Sequence, residues 1–286
     1  MSPCQNACPA GINVPGYLAL VSEGRILDAY NLIRQENPFP AVCGRVCTHP
    51  CESKCQRSML DESLAICDVK RYVADKVLEM NEPFRTIQYP PSGKKVAIIG
   101  AGPSGLTCGF YLAQTGHDVT VYDSKPFAGG VLRYGIPEYR LPKAVLQKEI
   151  DILKQSGVSI ILNTEVGKDI TFEELQEQND AVYIATGTQY SNEMGIKGEN
   201  LDGVYPGLEF LNDIIMEKEI KVGNKVAVVG GGSTAMDAAR SALRLGAKEV
   251  HVLYRREEKD MPADRREVEE AVEEGIHLHE LVTPVA

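Results

Sequence analysis

The sequence predicts an α/β protein in which a helical N-terminal segment precedes two Rossmann-like, doubly wound parallel sheets, the second of them incomplete. Three observations carry this expectation. Val96-Ala-Ile-Ile-Gly100-Ala-Gly102-Pro103-Ser104-Gly105 runs an apolar strand straight into a G-x-G-x-x-G turn. Lys225-Val-Ala-Val-Val-Gly230-Gly-Gly232-Ser233-Thr234-Ala235 repeats that build later in the chain. Seven of the eight cysteines lie before residue 68, apart from both repeats. The organisation that follows is a cysteine-rich helical domain over 1–92, a first nucleotide-binding domain over 93–218 and a second over 219–286.

Bulk composition sets the limits. A chain of 286 residues has room for about two domains. A formal charge of −10 argues against a nucleic-acid partner, which calls for a basic face. Met1-Ser2-Pro3-Cys4 lacks the basic and apolar regions of a signal peptide. No apolar run approaches the ~18 residues of a membrane span. The expected setting is the reducing cytoplasm, where cysteines remain thiols, so their clustering asks for a metal explanation.

The cysteine-rich segment opens with Cys4-x3-Cys8-Pro9. Apolar periodicity then predicts helices over 15–23 and 25–36, broken at Gly24. The block Cys43-Gly-Arg-Val-Cys47-Thr-His-Pro-Cys51-Glu-Ser-Lys-Cys55 follows, and a third helix over 64–80 carries Cys67 near its start. Zinc sites favour a two-residue gap between paired ligands, and no Cys-x-x-Cys occurs. Haem attachment needs Cys-x-x-Cys-His, also missing. Iron–sulfur clusters take thiolates from loop-rich segments, and Pro50 is expected to break the block into turns. Cys4, Cys8, Cys43, Cys47, Cys51, Cys55 and Cys67 are therefore the candidate iron–sulfur ligands, with His49 as a hydrogen-bonding neighbour. Residues 81–93, rich in Pro and Gly, read as a linker.

In the first nucleotide domain Gly100 permits a tight turn, Gly102 lets a pyrophosphate reach the backbone, and Gly105 lets the helix pack on the strand. Pro103 and Ser104 complete the candidate phosphate contacts at the helix start, where free N–H groups favour an anion. A second strand over 118–122 ends on Asp123, where an acid is expected to hold a ribose hydroxyl. The Gly- and Pro-rich stretch 124–143 reads as a loop. A helix over 143–155 and strands over 159–162 and 181–185 follow, the last ending in Thr186-Gly187. Cys108 reads as a small core residue.

The second domain repeats the turn with Gly230 and Gly232, and Ala235 takes the third position. Ser233 and Thr234 open its helix. Its second strand, over 249–254, ends on Arg255 and Arg256 where an NAD site would place an acid. Arginine forks suit a 2′-phosphate, so NADP(H) is expected over NAD(H). His277 and His279 read as surface residues of a last strand.

These stretches resemble a known family. Cys-x3-Cys-Pro, "GYLALVSEGRILDAYNLIRQENPFP" and "CGRVC…CESKC" are similar to the N-terminal iron–sulfur domain of the glutamate synthase small subunit and of dihydropyrimidine dehydrogenase. The resemblance implies [4Fe–4S] clusters on a helical scaffold. Cys4 and Cys55 would serve a first cluster, for which the family has an earlier Cys-x2-Cys. Cys8, Cys47 and Cys51 would serve a second, with Cys67 as candidate fourth ligand, and Cys43 matches a cysteine that need not bind metal. One cluster is expected and a second is possible. The same family wraps FAD with the segment after Asp123, implying contacts from Gly130, Leu132, Arg133 and Arg140, with Thr186-Gly187 closing the flavin domain. "YRREEKDMPA" is similar to its NADPH-binding strand and loop. The family's later Gly-Asp flavin contact is missing, since no Gly-Asp dipeptide occurs. The expectation is a truncated chain or one completed by another polypeptide.

The implied function is that of an NADPH-dependent FAD/iron–sulfur oxidoreductase subunit. It would pass electrons to or from a partner in a hetero-oligomeric complex, such as a glutamate synthase large subunit, a ferredoxin or a hydrogenase-type complex. The cofactors carry that chemistry, so no acid/base or nucleophilic residue set is required. A scaffold or docking subunit with structural zinc is the alternative.

Overall fold

The structure is a computed structural model that describes residues 1–80 and 89–285. Most of the expected linker, 81–93, lies outside the described residues. The chain forms two compact units. One comprises Met1–Gly130 and Arg140–Gly187, the other Val131–Tyr139 and Thr188–Ala286. The cysteine-rich segment and the first sheet share one of these units.

In the first unit, α1 (Pro3–Ala7) and α2 (Val14–Ser22) start on side-chain caps from Ser2 and Asn13. Gly24, at φ +74°, separates α2 from α3 (Ile26–Arg34), as its sequence position predicted. The cysteine block is not merely a set of turns. It contains α4 (Pro40–Val46) and α5 (Pro50–Ser53), each opened by a proline. Proline fits a first helical turn, whose N–H groups have no intrahelical partner, so Pro50 starts a helix as well as ending the preceding run. The last helix of this part is α6 (Ile66–Met80). Tyr17, Tyr30, Ile33, Val73, Ala74 and Val77 form its core, and the Tyr17 hydroxyl donates to the Ile66 carbonyl at 2.9 Å. A Cβ on Gly44 would lie 2.8 Å from Arg71 Cα, so α4 and α6 cross at backbone contact.

The first sheet contains β1 (Lys95–Ile99), β2 (Asp118–Tyr122), β3 (Val158–Ile161) and β4 (Ala181–Ile184), all parallel in the order β3-β2-β1-β4. Val96 pairs with Val119 on one side and Ala181 on the other. The helix after β1 is α7 (Pro103–Gln114). A short helix of the second unit, α8 (Val131–Tyr134), comes next in the chain. The first unit resumes with α9 (Lys143–Gln155) and α10 (Phe172–Gln178), the latter started by a Thr171–Glu174 capping box.

The cysteine-rich part is tied to the sheet part by one buried carboxylate. Glu149, on α9, has no solvent exposure. Its oxygens accept the backbone N–H groups of Ala41 (2.7 Å) and Val42 (2.9 Å), both in the first turn of α4. Burial pushes its carboxyl up to about 7, against the pull of those N–H groups and of Arg34 and Arg45. Lys148 adds a bond to the Leu78 carbonyl at the end of α6.

The second unit contains α11 (Gly207–Ile215), β5 (Lys225–Val229), α12 (Ser233–Arg244), β6 (Glu249–Leu253), α13 (Arg265–Glu273) and β7 (His277–His279). Its sheet has three parallel strands in the order β5-β6-β7. Met236, Ala239, Val250, Val252 and Ala271 are among its core residues. A groove of about 590 Å³, lined by Ile196, Phe210, Val226 and Val228 among others, borders β5. Tyr139 fastens the 131–139 segment to this unit. Its ring lies 4.9 Å from the Arg240 guanidinium and 4.0 Å from that of Arg244. Both arginines pair with Glu274, and Arg240 also pairs with Glu270. His277 and His279 are exposed, as expected, and His279 shares a hydrogen bond of 2.8 Å with His251. Among the described residues, no helix is long and apolar enough to cross a membrane.

The Glu149 tie has a measurable worth. Glu149→Gln keeps one acceptor but turns an amide N–H2 toward the second backbone N–H. Urea unfolding of the full chain should show a loss of about 1–3 kcal/mol. Unchanged stability would mean that the carboxylate does not hold α4.

Candidate functional site

The first glycine turn requires bare backbone. Gly100 sits at φ +110°, and a Cβ there would come within 2.2 Å of the Ala185 carbonyl oxygen at the end of β4. A Cβ on Gly105 would lie 2.0 Å from the Gly100 oxygen, which is the close helix–strand approach its position predicted. Gly102 takes the N-cap of α7 and supplies no capping side chain, so the first N–H groups of this 12-residue helix remain open to an anion. Pro103 and Ser104 begin the helix, and the Ser104 hydroxyl lies 3.0 Å from that of Tyr183. Gly130 faces Gly102: it has φ +53°, and a Cβ on it would lie 2.7 Å from Gly102 Cα. Together they form a cradle that side chains would fill, a fit for the pyrophosphate of a dinucleotide.

Asp123 stands where the sequence placed it, at the end of β2, but its carboxylate already has two donors. One oxygen accepts from Ala101 N–H at 2.7 Å, inside the glycine turn, and the other from Lys125 N–H at 2.8 Å. Its first task is therefore to brace the turn. Thr186 and Gly187 follow β4, with Gly187 at φ +70°. Arg140 is half-buried in this unit. Leu132 and the buried Arg133 belong to α8 of the second unit.

The second turn has the same build. Gly230 adopts φ +140°, Gly232 caps α12 without a side chain, and Ser233, Thr234 and the buried Ala235 form the first helical turn. A residue that sequence reasoning passed over supports it. Tyr254 packs its ring where a Cβ on Gly231 would lie, at 2.5 Å, and its hydroxyl donates to the Asp260 carbonyl at 2.8 Å. The middle glycine of Gly-Gly-Gly was the available signal. Arg255 and Arg256 follow Tyr254 and are exposed.

All eight cysteines are free thiols. Cys4 lies in α1 and Cys8 caps its end; Cys43 lies in α4 and Cys47 caps its end; Cys51 lies in α5, Cys55 just after it, and Cys67 in α6. Helix α1 packs on α5, which brings the first pair toward Cys51 and Cys55. Cys47 and Cys8 both act on Cys51, and Cys47 pairs with Cys67. The Cys67 thiol donates to Cys47, which lowers the Cys47 pKa and raises that of Cys67. Burial pushes the Cys51 thiol up to about 11, with Cys47 and Cys8 adding to the rise. The Tyr17 phenol is held up by burial and then by the thiolates of Cys51, Cys67, Cys8 and Cys4. Lys70, nine-tenths buried, lies among them and favours the thiolates of Cys43, Cys47, Cys51 and Cys67. Cys43 points its thiol at Asn37 Oδ1, 3.7 Å away. The His49 N–H donates to Cys47 Sγ at 3.3 Å, the neighbour role expected of that residue. Among the described residues, no three His, Cys, Asp or Glu side chains group as ligands of a single metal ion. Several converging thiols around a buried cation suit a polynuclear sulfide cluster, whose ligands stand apart around a larger body.

Comparison with known proteins bears on both parts. Residues 1–82 match the family described as dihydropyrimidine dehydrogenase domain II, 4Fe-4S cluster. Residues 94–283 match the family described as pyridine nucleotide-disulphide oxidoreductase. The chain is 45% identical to the NADP(+)-dependent formate dehydrogenase subunit beta of Moorella thermoacetica, over 100% of this chain and 44% of that protein. It is 44% identical to the NADPH-Fe(3+) oxidoreductase subunit beta of Geobacter sulfurreducens, over 99% of this chain and 43% of that protein. It is 40% identical to the glutamate synthase [NADPH] small chain of Escherichia coli, over 99% and 62% respectively. The chain thus spans less than two thirds of these curated relatives. Among solved structures, FprA from Mycobacterium tuberculosis shares the fold, with TM-score 0.56 and 23% identity over 65% of this chain and 48% of that one.

The paired glycines give a prediction with an internal control. Gly130→Ala should destabilise the chain by about 1–3 kcal/mol, since φ is positive and the new Cβ meets Gly102 backbone. Gly11→Ala, at φ +69° in open space, should cost less. Equal losses for the two variants in urea unfolding would remove the cradle.

Proposed function

We propose a function from one premise: the chain belongs to the pyridine nucleotide-disulphide oxidoreductase family and carries a 4Fe-4S domain of the dihydropyrimidine dehydrogenase type ahead of it. It is an NADPH-dependent FAD/iron–sulfur oxidoreductase subunit that works in the cytoplasm and passes electrons to or from a partner subunit. The observation that carries this reading is the presence, in one chain, of two uncapped glycine turns and a set of converging thiols around a buried cation. Three relatives support it: each is named as a subunit or small chain, and each name contains NADP(+) or NADPH. Their names differ in the rest of the assembly, so the terminal donor or acceptor resides on the partner.

When bound, FAD exchanges a hydride with the nicotinamide and single electrons with the clusters. The chain binds and orients these groups. Gly102, Ser104 and Gly105 offer backbone N–H groups to the FAD pyrophosphate, Gly100 and Pro103 shape the turn that presents them, and Asp123 braces it. Gly130, Leu132, Arg133, Arg140, Thr186 and Gly187 are the further flavin contacts. Gly230, Gly232, Ser233, Thr234 and Ala235 take the NADP(H) pyrophosphate. Arg255 and Arg256 receive its 2′-phosphate on charge-assisted forks, with no acid at the strand end to repel it. Cys8, Cys47, Cys51 and Cys67 hold one [4Fe–4S] cluster. Cys4 and Cys55 are the ligands available to a second, and Cys43, turned toward Asn37, is the least suited of the set. The family match over residues 1–82 and the named relatives lend no support to the alternative of a zinc scaffold.

Anaerobically purified protein should contain iron and acid-labile sulfide, absorb as a flavoprotein with a broad iron–sulfur shoulder, and bleach with NADPH in preference to NADH. Replacing both Arg255 and Arg256 with Gln should weaken NADP+ binding about tenfold or more and leave NAD+ binding nearly unchanged. Colourless protein without sulfide, indifferent to the 2′-phosphate, would sink the proposal.

A further inference from the structure

Lys70 is a buried cation without a conventional partner. It is 7% exposed, on α6, one turn after Cys67 and therefore on the same helix face. That face meets α4 closely: Cys67 Sγ lies 3.7 Å from both the Cys43 and Gly44 carbonyl oxygens, and Gly44 touches the Arg71 backbone. No hydrogen bond or ion pair joins Lys70 to another described residue. The carboxylate of Glu52, which also acts on Cys51 and Cys67, is engaged by the Cys67 N–H at 2.9 Å and faces His49 Nδ1 at 3.9 Å. The contrast with Arg240 is plain, since that buried guanidinium pairs with both Glu270 and Glu274.

The ammonium on this largely buried stem acts on the thiols of Cys43, Cys47, Cys51 and Cys67. A [4Fe–4S] cluster on thiolates is an anion and gains one further negative charge on reduction. Nearby net charge is one of the determinants of its potential. A lysine is a compact point charge that cannot ligate iron while protonated, so its influence is electrostatic.

We propose that Lys70 is the fixed counter-charge of the cluster held by Cys8, Cys47, Cys51 and Cys67, and that it raises the reduction potential of that cluster by favouring the reduced form. The inference rests on the iron–sulfur reading above and goes beyond it, by assigning the residue that sets the cluster's place in the order of electron flow. Because the side chain is largely buried, its effect is screened less by salt than that of a surface charge.

The test is a redox titration followed by EPR on the anaerobic full chain, reading the signal that Cys47→Ser abolishes. Lys70→Met should lower its midpoint by at least a tenfold change in the one-electron equilibrium, about 59 mV. The difference should persist at high salt, and Lys70→Arg should stay near the parent value. If Lys70→Met fails to fold or to load iron while Lys70→Arg loads, the need for the charge is likewise supported. A loaded Lys70→Met chain with the parent midpoint overturns the proposal. So does failure of Lys70→Met and Lys70→Arg alike to load, which makes Lys70 a matter of shape. Absence of iron and sulfide from the parent chain is a separate outcome, which overturns the iron–sulfur reading and the Lys70 proposal with it.

Discussion

The carboxylate of Glu149 is the constraint on which the arrangement of the first unit depends. Two backbone N–H groups at the start of α4 have no intrahelical acceptor, and Glu149 supplies both acceptors from α9. Because α4 contains Cys43 and ends on Cys47, this one side chain fixes part of the thiol set to the helix that packs on β3. A buried, doubly bonded carboxylate supplies such a fixed attachment, because moving it would leave charge and N–H groups unpaired out of water.

The two glycine turns show how local chemistry and long-range packing agree. At Gly100 and Gly105 the backbone is so close to a neighbouring carbonyl that any side chain must displace the chain. The same bareness leaves N–H groups uncovered at the head of α7 and α12. A requirement of packing thereby produces a surface suited to phosphate.

Much of this was legible in the sequence. The strands that run into glycine, their helices, the parallel order and the three-stranded second sheet follow from period, turn chemistry and the repeat itself. The cysteine block was legible as metal-binding, yet its local form was not. Pro50 reads as a breaker in the sequence, although a proline at a helix start is as much an initiator. The burial of Glu149 and of Lys70 is not legible in the sequence, for a different reason. Each sits in a helix whose other charged residues are mostly solvated, and one-dimensional periodicity does not reveal which charge faces inward. Asp123 was located correctly, but its bonds to Ala101 and Lys125 depend on how the turn folds back, which spacing does not encode. The placement of 131–139 depends on two arginines about a hundred residues further along the chain, one turn apart on α12, which hold the Tyr139 ring.

That grip has a topological consequence. The polypeptide passes from one unit to the other after Gly130, returns after Tyr139 and passes over again after Gly187. Neither unit is an uninterrupted stretch of chain, so severing any one of the three passages leaves both halves covalently joined by the other two. Cutting the gene at a single point cannot yield one whole unit and one whole remainder, and any shuffling of these modules between proteins has to carry all three passages together.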